Sequence, residues 1–258
     1  MLKRLLQRAG LFLLVLSGML ALWYLAYVAE AVSRLILPSP LQVLQAFGAW
    51  AQKGLWIDIG YTVYRLISSI AFGIAAGLIV GVLIAAIPLL RDAIIPIIES
   101  LRSIPAIALF PLFTAAFGIG ELARIASVTF SVLFLVALHT VQGISTINKS
   151  LLLLPRTIIV KDSMRVRWWR LRQIYLPGAL PTILFGVRVA LPVALVVIVA
   201  TEMLFGTSHG LGSRIITSQL AYRIPPAWAA IIVTGLLGYA LNVIIGIVEK
   251  GYSSWVGR

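Results

Sequence analysis

Residues 61–87 read YTVYRLISSIAFGIAAGLIVGVLIAAI, an apolar run that is long enough to cross a lipid bilayer as one helix. A hydrocarbon core of about 30 Å needs roughly 20 apolar residues in an α-helix. Small residues recur in this run at a spacing of four, at Ser69, Gly73, Gly77, Gly81 and Ala85. This spacing places them on one helix face and predicts close packing of another backbone, within the chain rather than at a dedicated subunit seam.

The rest of the chain is equally hydrophobic. Of its 258 residues, 61% are hydrophobic and only 11% are charged, whereas a soluble domain carries roughly a quarter charged residues. We therefore predict an all-α membrane protein, a single transmembrane domain over residues 1–258 with about six spans. The spans are expected at Ala9–Ala29, Tyr61–Ile87, Ala93–Phe117, Leu122–Gly143, Gly178–Phe205 and Ala227–Val248. Residues 9–29 are expected to be a retained anchor helix, because this run exceeds the 7–15 apolar residues of a secretory signal.

The positive charges predict the orientation. With the N-terminus inside, thirteen Lys and Arg residues fall on cytoplasmic segments and six on outer segments or their helix edges. This bias predicts that both termini are cytoplasmic. It also accounts for the net charge of +13 without nucleic acid, which would require the basic residues to line one soluble face.

Few residue types that carry chemistry are present. The chain has no cysteine and two histidines, far apart, and no paired carboxylates or nucleophile–base set emerges, so we predict neither a metal site nor a catalytic site. The stretch from Gly143 to Ser150 approaches a phosphate-binding loop. Asn148 replaces its second glycine and an apolar helix precedes it, which argues against ATP binding in this chain.

Prolines are expected to bend two spans. Pro105 and Pro111 fall within the third predicted span and Pro192 within the fifth, and each removes a backbone donor. Freed carbonyls in a bilayer must face protein or a water-filled cavity, which suits a conduit. Before the second span, Ser39 and Pro40 predict the cap and first position of a short helix on the outer membrane surface.

The predicted cytoplasmic loop, residues 144–176, is long and basic. Its second half reads RVRWWRLRQIYLP from Arg165 to Pro177. Part of this charge fits arginines that contact anionic lipid. A connection of about 30 residues is much longer than most helix connections, and long structured loops usually carry function. We predict two short helices that form a platform under the membrane helices, the second ending at Pro177.

Several short motifs together suggest a family. They are Ile-Leu-Pro-Ser-Pro at 36–40, Arg102-Ser-Ile-Pro-Ala, Phe-Gly-Ile-Gly at 117–120, Leu176-Pro-Gly-Ala-Leu-Pro181, Gly186-Val-Arg188, Thr201-Glu202-Met203 and Gly210-Leu-Gly212. In this order and spacing they resemble the transmembrane permease subunit of bacterial ATP-binding-cassette (ABC) importers, in the group for taurine, alkanesulfonates and nitrate. The resemblance covers nearly the whole chain. It implies the type I importer permease fold, a multi-pass protein of the bacterial inner membrane, and a dimer with a second copy or a paralogue.

The resemblance also implies that residues 144–176 are the coupling loop that docks on a cytoplasmic ATPase. The family pattern ends in Ile-x-Leu-Pro, intact here as Ile174, Leu176 and Pro177, whereas Met164 stands at its glycine and Ile158 to Val160 replace Glu-Ala-Ala. The residues expected to contact the ATPase are Arg156, Ile158, Lys161, Asp162, Met164, Arg165, Arg167, Trp168, Trp169, Arg170 and Pro177.

Polar residues inside the spans are candidates for the translocation pathway, since they are costly in a bilayer and often functional. These candidates are Glu99, Arg102, His139, Gln142, Arg188 and Glu202. A structural ion pair or hydrogen bond is the alternative for each, with Glu99 and Arg102 as an intrahelical pair. Arg188 is the first candidate, because a lone guanidinium would attract an anionic solute or compensate Glu99.

The resemblance implies a non-catalytic subunit without its own cofactor, ATP and Mg²⁺ being bound by a separate ATPase. The expected partners are cytoplasmic ABC ATPase subunits, a periplasmic or extracellular solute-binding protein on outer loops that include Gly210–Pro226, a second permease, and membrane lipid. The solute is expected to be a small anion such as a sulfonate, taurine or nitrate, or else a thiamine precursor. A channel or secondary carrier that works without ATP is the alternative class, although no inverted repeat is visible.

Overall fold

The computed structural model describes residues 2–147 and 169–256, which are helical with no strand among them. The helices are α1 (Leu2–Val28), α2 (Pro40–Lys53), α3 (Leu55–Ala86), α4 (Pro88–Arg102), α5 (Phe110–Phe117), α6 (Glu121–Ser145), α7 (Leu176–Leu204), α8 (Leu211–Leu220) and α9 (Ile224–Val256). A 3₁₀ turn, Ala106–Leu109, precedes α5, and a π-helical turn, Leu171–Tyr175, precedes α7. The chain divides into two compact units, Met1–Tyr61 with Met203–Gly235, and Thr62–Glu202 with Leu236–Arg258.

Five of the described helices are long and apolar enough to cross a membrane, and a bent pair, Leu89–Arg102 with Ala106–Phe117, makes a sixth span if it counts as one. The all-α prediction is confirmed, and each predicted span has its counterpart. The third span is bent, as its prolines predicted, and its two halves meet at 86°.

The small-residue face of α3 packs against α6 within the second unit. A Cβ added at Gly77 would lie 2.8 Å from the carbonyl oxygen of Leu133, and one at Gly73 would lie 2.5 Å from Cβ of Val132. Such distances leave no room for any side chain, so the two backbones approach closely. The stripe therefore serves packing within the chain, as predicted.

Helix α2 begins with a complete capping box. The amide of Gln42 donates to Oγ of Ser39 (3.2 Å), and Oε1 of Gln42 accepts from the amide of Ser39 (2.9 Å), with Pro40 at the first helical position. Both reciprocal bonds satisfy amides that the first turn leaves without intrahelical partners. The predicted cap is confirmed.

Asp58 organises the first unit. Its buried carboxylate accepts from Nε1 of Trp50 on α2 (2.9 Å) and from the amide of Gly210, just before α8 (3.1 Å). The ring of His209 lies beside the same carboxylate (3.7 Å) and stacks on Tyr61. One carboxylate thus fixes α2, the start of α3 and the start of α8 to one another.

Two helices end in Schellman motifs without glycine at the left-handed position. At the end of α8, the amide of Tyr222 (φ 54°) donates to Gln219 and that of Arg223 donates to Ser218, both at 2.9 Å. Glu30 (φ 50°) occupies the same position after α1. A non-glycine residue in this backbone region costs about 1–3 kcal/mol.

We predict that Gly77→Val destabilises the protein by about 2 kcal/mol, because the added atoms overlap the α6 backbone. Gly60→Ala is the control in the same helix, since nothing lies within 4 Å of the added Cβ. Thermal unfolding of the purified proteins in detergent compares the two. A Gly77→Val protein as stable as the wild type would refute close packing at this stripe.

Candidate functional site: a broken helix and the charged residues near it

The break between α4 and α5 is built by the sequence Arg102-Ser-Ile-Pro. Pro105 has no amide to continue the helix and disfavours the helical conformation at Ile104. The chain leaves α4 at Ser103, and Pro105 then starts the 3₁₀ turn that leads into α5. The hydroxyls of Ser100 and Ser103 donate to the carbonyls of Pro96 (2.9 Å) and Glu99 (3.0 Å) at the end of α4.

The bend lies against a cavity of about 470 Å³ whose walls come from the broken segment, α6 and α7. The walls are mainly apolar, with Phe130 and Phe134 from α6 and Val196 from α7 among them. In the part of the chain that the structure describes, Arg102 is the one charged residue that lines this cavity. The site thus combines one guanidinium with an apolar bed.

Glu99 and Arg102 are both exposed. The expected intrahelical pair between them is not among the ion pairs of the described residues, so that prediction was wrong. Exposed charges at the end of a membrane helix cannot face hydrocarbon without a large cost. These two side chains therefore require water, a lipid headgroup or another protein next to them.

His139 and Gln142 are both on α6 but have different surroundings. Nδ1 of His139 donates to the carbonyl of Leu135 (2.8 Å), and its ring covers Gly186 of α7, where an added Cβ would lie 2.6 Å from Cβ of His139. His139 therefore contributes to the packing of α6 against α7. Gln142 is exposed.

Glu202 belongs to a buried ion-pair cluster that joins three helices of the second unit. Arg65 on α3 donates to Oε1 of Glu202 on α7 (2.6 Å) and, through Nε and a terminal nitrogen, to both carboxylate oxygens of Glu121 on α6 (2.6 and 2.8 Å). Thr62 donates to both oxygens of Glu202 (3.0 Å each). Arg124 lies 3.5 Å from Glu121.

The cluster has no net charge and is buried at its centre, with Arg65 1% exposed and Glu202 not exposed at all. Two guanidinium groups, of Arg65 and Arg124, face two carboxylates, and a bidentate arginine–carboxylate pair is the strongest geometry available. The sequence did not predict that Arg65 would join Glu121 and Glu202 in one cluster. The sequence signal for this cluster is an arginine and a glutamate in separate apolar runs. Whether the two side chains meet depends on the tertiary fold.

Arg188, the first candidate for the pathway, is not a lone guanidinium. It donates to Oε2 of Glu249 on α9 at 2.7 Å. The expectation that it would be unpaired or would compensate Glu99 was therefore wrong. Arg188 remains 46% exposed and Glu249 24%.

Most of the predicted coupling-loop contacts lie outside the described residues: Arg156, Ile158, Lys161, Asp162, Met164, Arg165, Arg167 and Trp168. Trp169 is half exposed, Arg170 is half buried and Pro177 is exposed. Pro177 was predicted to end a helix, and this prediction was wrong. The chain passes from the π-helical turn straight into α7, and the wider turn accommodates a residue that lacks an amide donor.

We predict that Glu202→Gln lowers the free energy of unfolding by about 3 kcal/mol, because it leaves a buried Arg65 with one carboxylate fewer. Arg34→Gln is the control, since its pair with Glu30 is more than 60% exposed on both sides and is worth under about 1 kcal/mol. Denaturation in detergent measures both, and the Arg65→Gln/Glu202→Gln double variant should recover part of the loss. Equal, small effects would contradict the role of the cluster.

Comparison with known proteins supports the same conclusion as the fold. The family model described as the binding-protein-dependent transport system inner membrane component matches residues 73–254. The putative aliphatic sulfonates transport permease protein SsuC of Escherichia coli K12 is 31% identical over 257 residues, covering 98% of this chain and 94% of the relative. The taurine transport system permease protein TauC of the same organism is 26% identical, covering 94% and 88%.

A solved structure has the same fold. A chain of the inward-facing MetNI methionine ABC transporter superposes with a TM-score of 0.65 at 20% identity, covering 78% of this chain and 95% of that chain. These comparisons confirm the family resemblance and the type I fold, and they favour a permease over a channel or secondary carrier.

Members of this family work with a separate ATPase subunit and a solute-binding protein, and they span the inner membrane several times. Their permease subunits carry no catalytic site. The chain belongs to the family of binding-protein-dependent transport system inner membrane components, and it is the non-catalytic permease subunit of an ABC importer.

Proposed function

We propose that this permease conducts a small organic anion of the sulfonate class, and that the pathway runs along the break between α4 and α5. The exposed guanidinium of Arg102 at this break carries the proposal, because it lines the cavity against α6 and α7. Backbone that is not helical is tolerated at membrane depth only against protein or a water-filled cavity. The break and the charge beside it are therefore best explained by an aqueous pathway.

The chemistry of the cavity supports an organic anion. A guanidinium binds the oxygens of a sulfonate through charge-assisted hydrogen bonds. The apolar walls, with Phe130, Phe134 and Val196, suit an attached carbon chain better than a small inorganic anion such as nitrate. The names of SsuC and TauC refer to aliphatic sulfonates and to taurine, which agrees with this class.

Coupling to ATP hydrolysis is assigned to the loop 144–176 on the cytoplasmic side. The described end of this loop, Trp169 and Arg170, continues through the π-helical turn into α7 without a break. A displacement of the loop by the ATPase would therefore be transmitted along α7, which carries Val196 of the cavity wall. A second permease copy or paralogue completes the pathway, the binding protein docks on the outer loops, and both termini are cytoplasmic.

We predict that Arg102→Ala lowers ATP-dependent uptake of taurine or an alkanesulfonate by reconstituted transporter at least tenfold, as expected for the loss of one charged hydrogen bond. Arg102→Lys keeps the charge and should retain more uptake than the alanine variant. Single cysteines give a second measurement, since the chain has none of its own. A cysteine at 102 should react with a membrane-impermeant thiol reagent, whereas one at Ile97, exposed on another face of α4, should not.

Wild-type uptake by Arg102→Ala, or equal labelling at positions 97 and 102, would contradict the pathway. A cysteine at 102 that forms a disulfide with its copy in the second permease would place this face at the dimer interface instead.

We predict that reversal of charge at both Arg167 and Arg170 uncouples ATP hydrolysis from transport, because the docking loop would present carboxylates to the ATPase. Hydrolysis and uptake are measured together in proteoliposomes, and the uptake per ATP should fall at least fivefold. Arg4→Glu is the control, since this cation is predicted to lie on the same side of the membrane. Unchanged coupling in the double variant would refute the assignment of the loop.

A further inference from the structure

Two opposite charges lie on one face of α4, at Glu99 and Arg102. Residues three apart in an α-helix differ by about 60° around its axis and by about 4.5 Å along it. Both side chains are exposed, and within residues 2–147 and 169–256 neither forms an ion pair or a hydrogen bond with another side chain. The proposed pathway explains the guanidinium. It does not explain the carboxylate, which would repel an anionic solute so close to it.

The cavity shows how deep these charges lie in the membrane. Arg102 lines it together with Phe130 and Leu135 of α6, and α6 is long and apolar enough to cross a bilayer. Phe130 lies about 14 Å from the start of α6 at Glu121, and Leu135 lies about 15 Å from its end at Ser145. Arg102 is therefore near the centre of a hydrocarbon core of about 30 Å, where neither side chain reaches the lipid headgroups.

The face around these charges has the composition of a helix–helix contact. Pro96 and Ser103 lie on the same face and are exposed, and such short side chains let a second backbone approach closely. Ile97 lies on the opposite side of α4 and is 55% exposed, as expected of a side that meets lipid. Charged residues within a membrane usually pair with one another. The face with Glu99 and Arg102 is therefore a contact surface for another protein chain.

We propose that this face meets its counterpart in a second copy of the chain, with Arg102 of each copy paired to Glu99 of the other. The face carries one charge of each sign, so it is complementary to itself. A two-fold axis along the membrane normal places both copies at equal depth and repeats each contact. An arginine side chain is long enough to cover the difference of about 4.5 Å in depth. The inference rests on the proposed function, because it uses Arg102 as the site of the solute.

The pair closes the pathway when no solute is present. It leaves no unneutralised guanidinium at the centre of the membrane, where a charge without a partner is costly. A carboxylate and a sulfonate bind the same guanidinium nitrogens, so an arriving sulfonate replaces Glu99 of the second copy. The released carboxylate then faces the water of the open pathway. Because like charges repel, Arg102 does not lie against Arg102 of the second copy.

The test is disulfide formation between two differently tagged copies in the complete transporter, one with Glu99→Cys and the other with Arg102→Cys. Purification on both tags selects transporters that contain both copies, and the chain has no cysteine of its own. Mild oxidation in nanodiscs should link the two copies, since the reciprocal ion pair stays intact. Ile97→Cys combined with Arg102→Cys is the matched control and should link at least tenfold more slowly.

An alkanesulfonate should compete with this contact. At a saturating concentration it should slow the disulfide between positions 99 and 102 at least threefold, because it occupies the remaining Arg102 and separates the two faces. Sodium chloride at equal ionic strength is the control and should have a much smaller effect.

Charge reversal gives a measurement that needs no cysteine. Glu99→Arg places like charges together and should lower the thermal midpoint of the transporter. Glu99→Arg with Arg102→Glu in the same chain restores opposite charges and should recover at least half of this loss. No recovery in the swapped variant would contradict the pair.

Three outcomes of the disulfide experiment would overturn the inference. They are a rate for positions 99 and 102 no higher than that of the Ile97 control, a rate that the alkanesulfonate leaves unchanged, and the recovery of no transporter that carries both tags. None of them affects the pathway itself, which stands or falls with the uptake of Arg102→Ala. Wild-type uptake in that variant would refute the proposed function even if the disulfide forms.

Discussion

The requirement that every charge and every free backbone group find a polar partner inside a bilayer governs this structure. The cluster around Arg65 meets it through ion pairs between helices. Arg65 on α3 reaches Glu121 on α6 and Glu202 on α7 at 2.6 Å each, and the hydroxyl of Thr62 is shared between the two carboxylate oxygens of Glu202. Arg65 on α3 and Glu202 on α7 find their charged partners on other helices, so these charges join the helices. The glycine stripe of α3 permits the close approach that this requires, because side chains there would hold α3 and α6 apart.

The break between α4 and α5 meets the same requirement in the opposite way. Here the chain leaves the helix at Ser103, the charges of Glu99 and Arg102 stay exposed, and Arg102 lines a cavity with mainly apolar walls. Within this unit, the buried charges therefore pair with one another, whereas the exposed charges are accessible to a solute or to a neighbouring protein. This contrast separates the polar residues that are paired within the fold from those that stay exposed better than their positions in the apolar runs do. Glu202 and Arg102 are both charges within spans, yet only one is exposed to a cavity.

Much of this was predictable from local sequence. The cap at Ser39, the small-residue face of α3 and the existence of a bend near Pro105 all depend on neighbours along the chain, and all three predictions hold. The size of the bend was not predictable, because a proline fixes only the local backbone and packing sets the angle. Pro177 was misassigned since a π-helical turn absorbs the missing donor. The partners of Arg65 and Arg188 were missed for a different reason. These partners, Glu202 and Glu249, are far along the chain from the arginines that they bind.

Buried ion pairs and apolar contacts also differ in how much movement they permit between helices. Separation of Arg65 from its carboxylates would leave charges unpaired in a buried site, which is strongly unfavourable. By contrast, α4 is held to α3 and α6 by an apolar cluster of Ile98 with Ile84 and Val141, and apolar contacts are non-directional, so packed helices slide past one another at small cost. We propose that the permease transports its solute by alternating access, which requires it to change shape around the solute. We therefore expect the ion-paired helices to move as one body and the rearrangement to occur at α4 and its break.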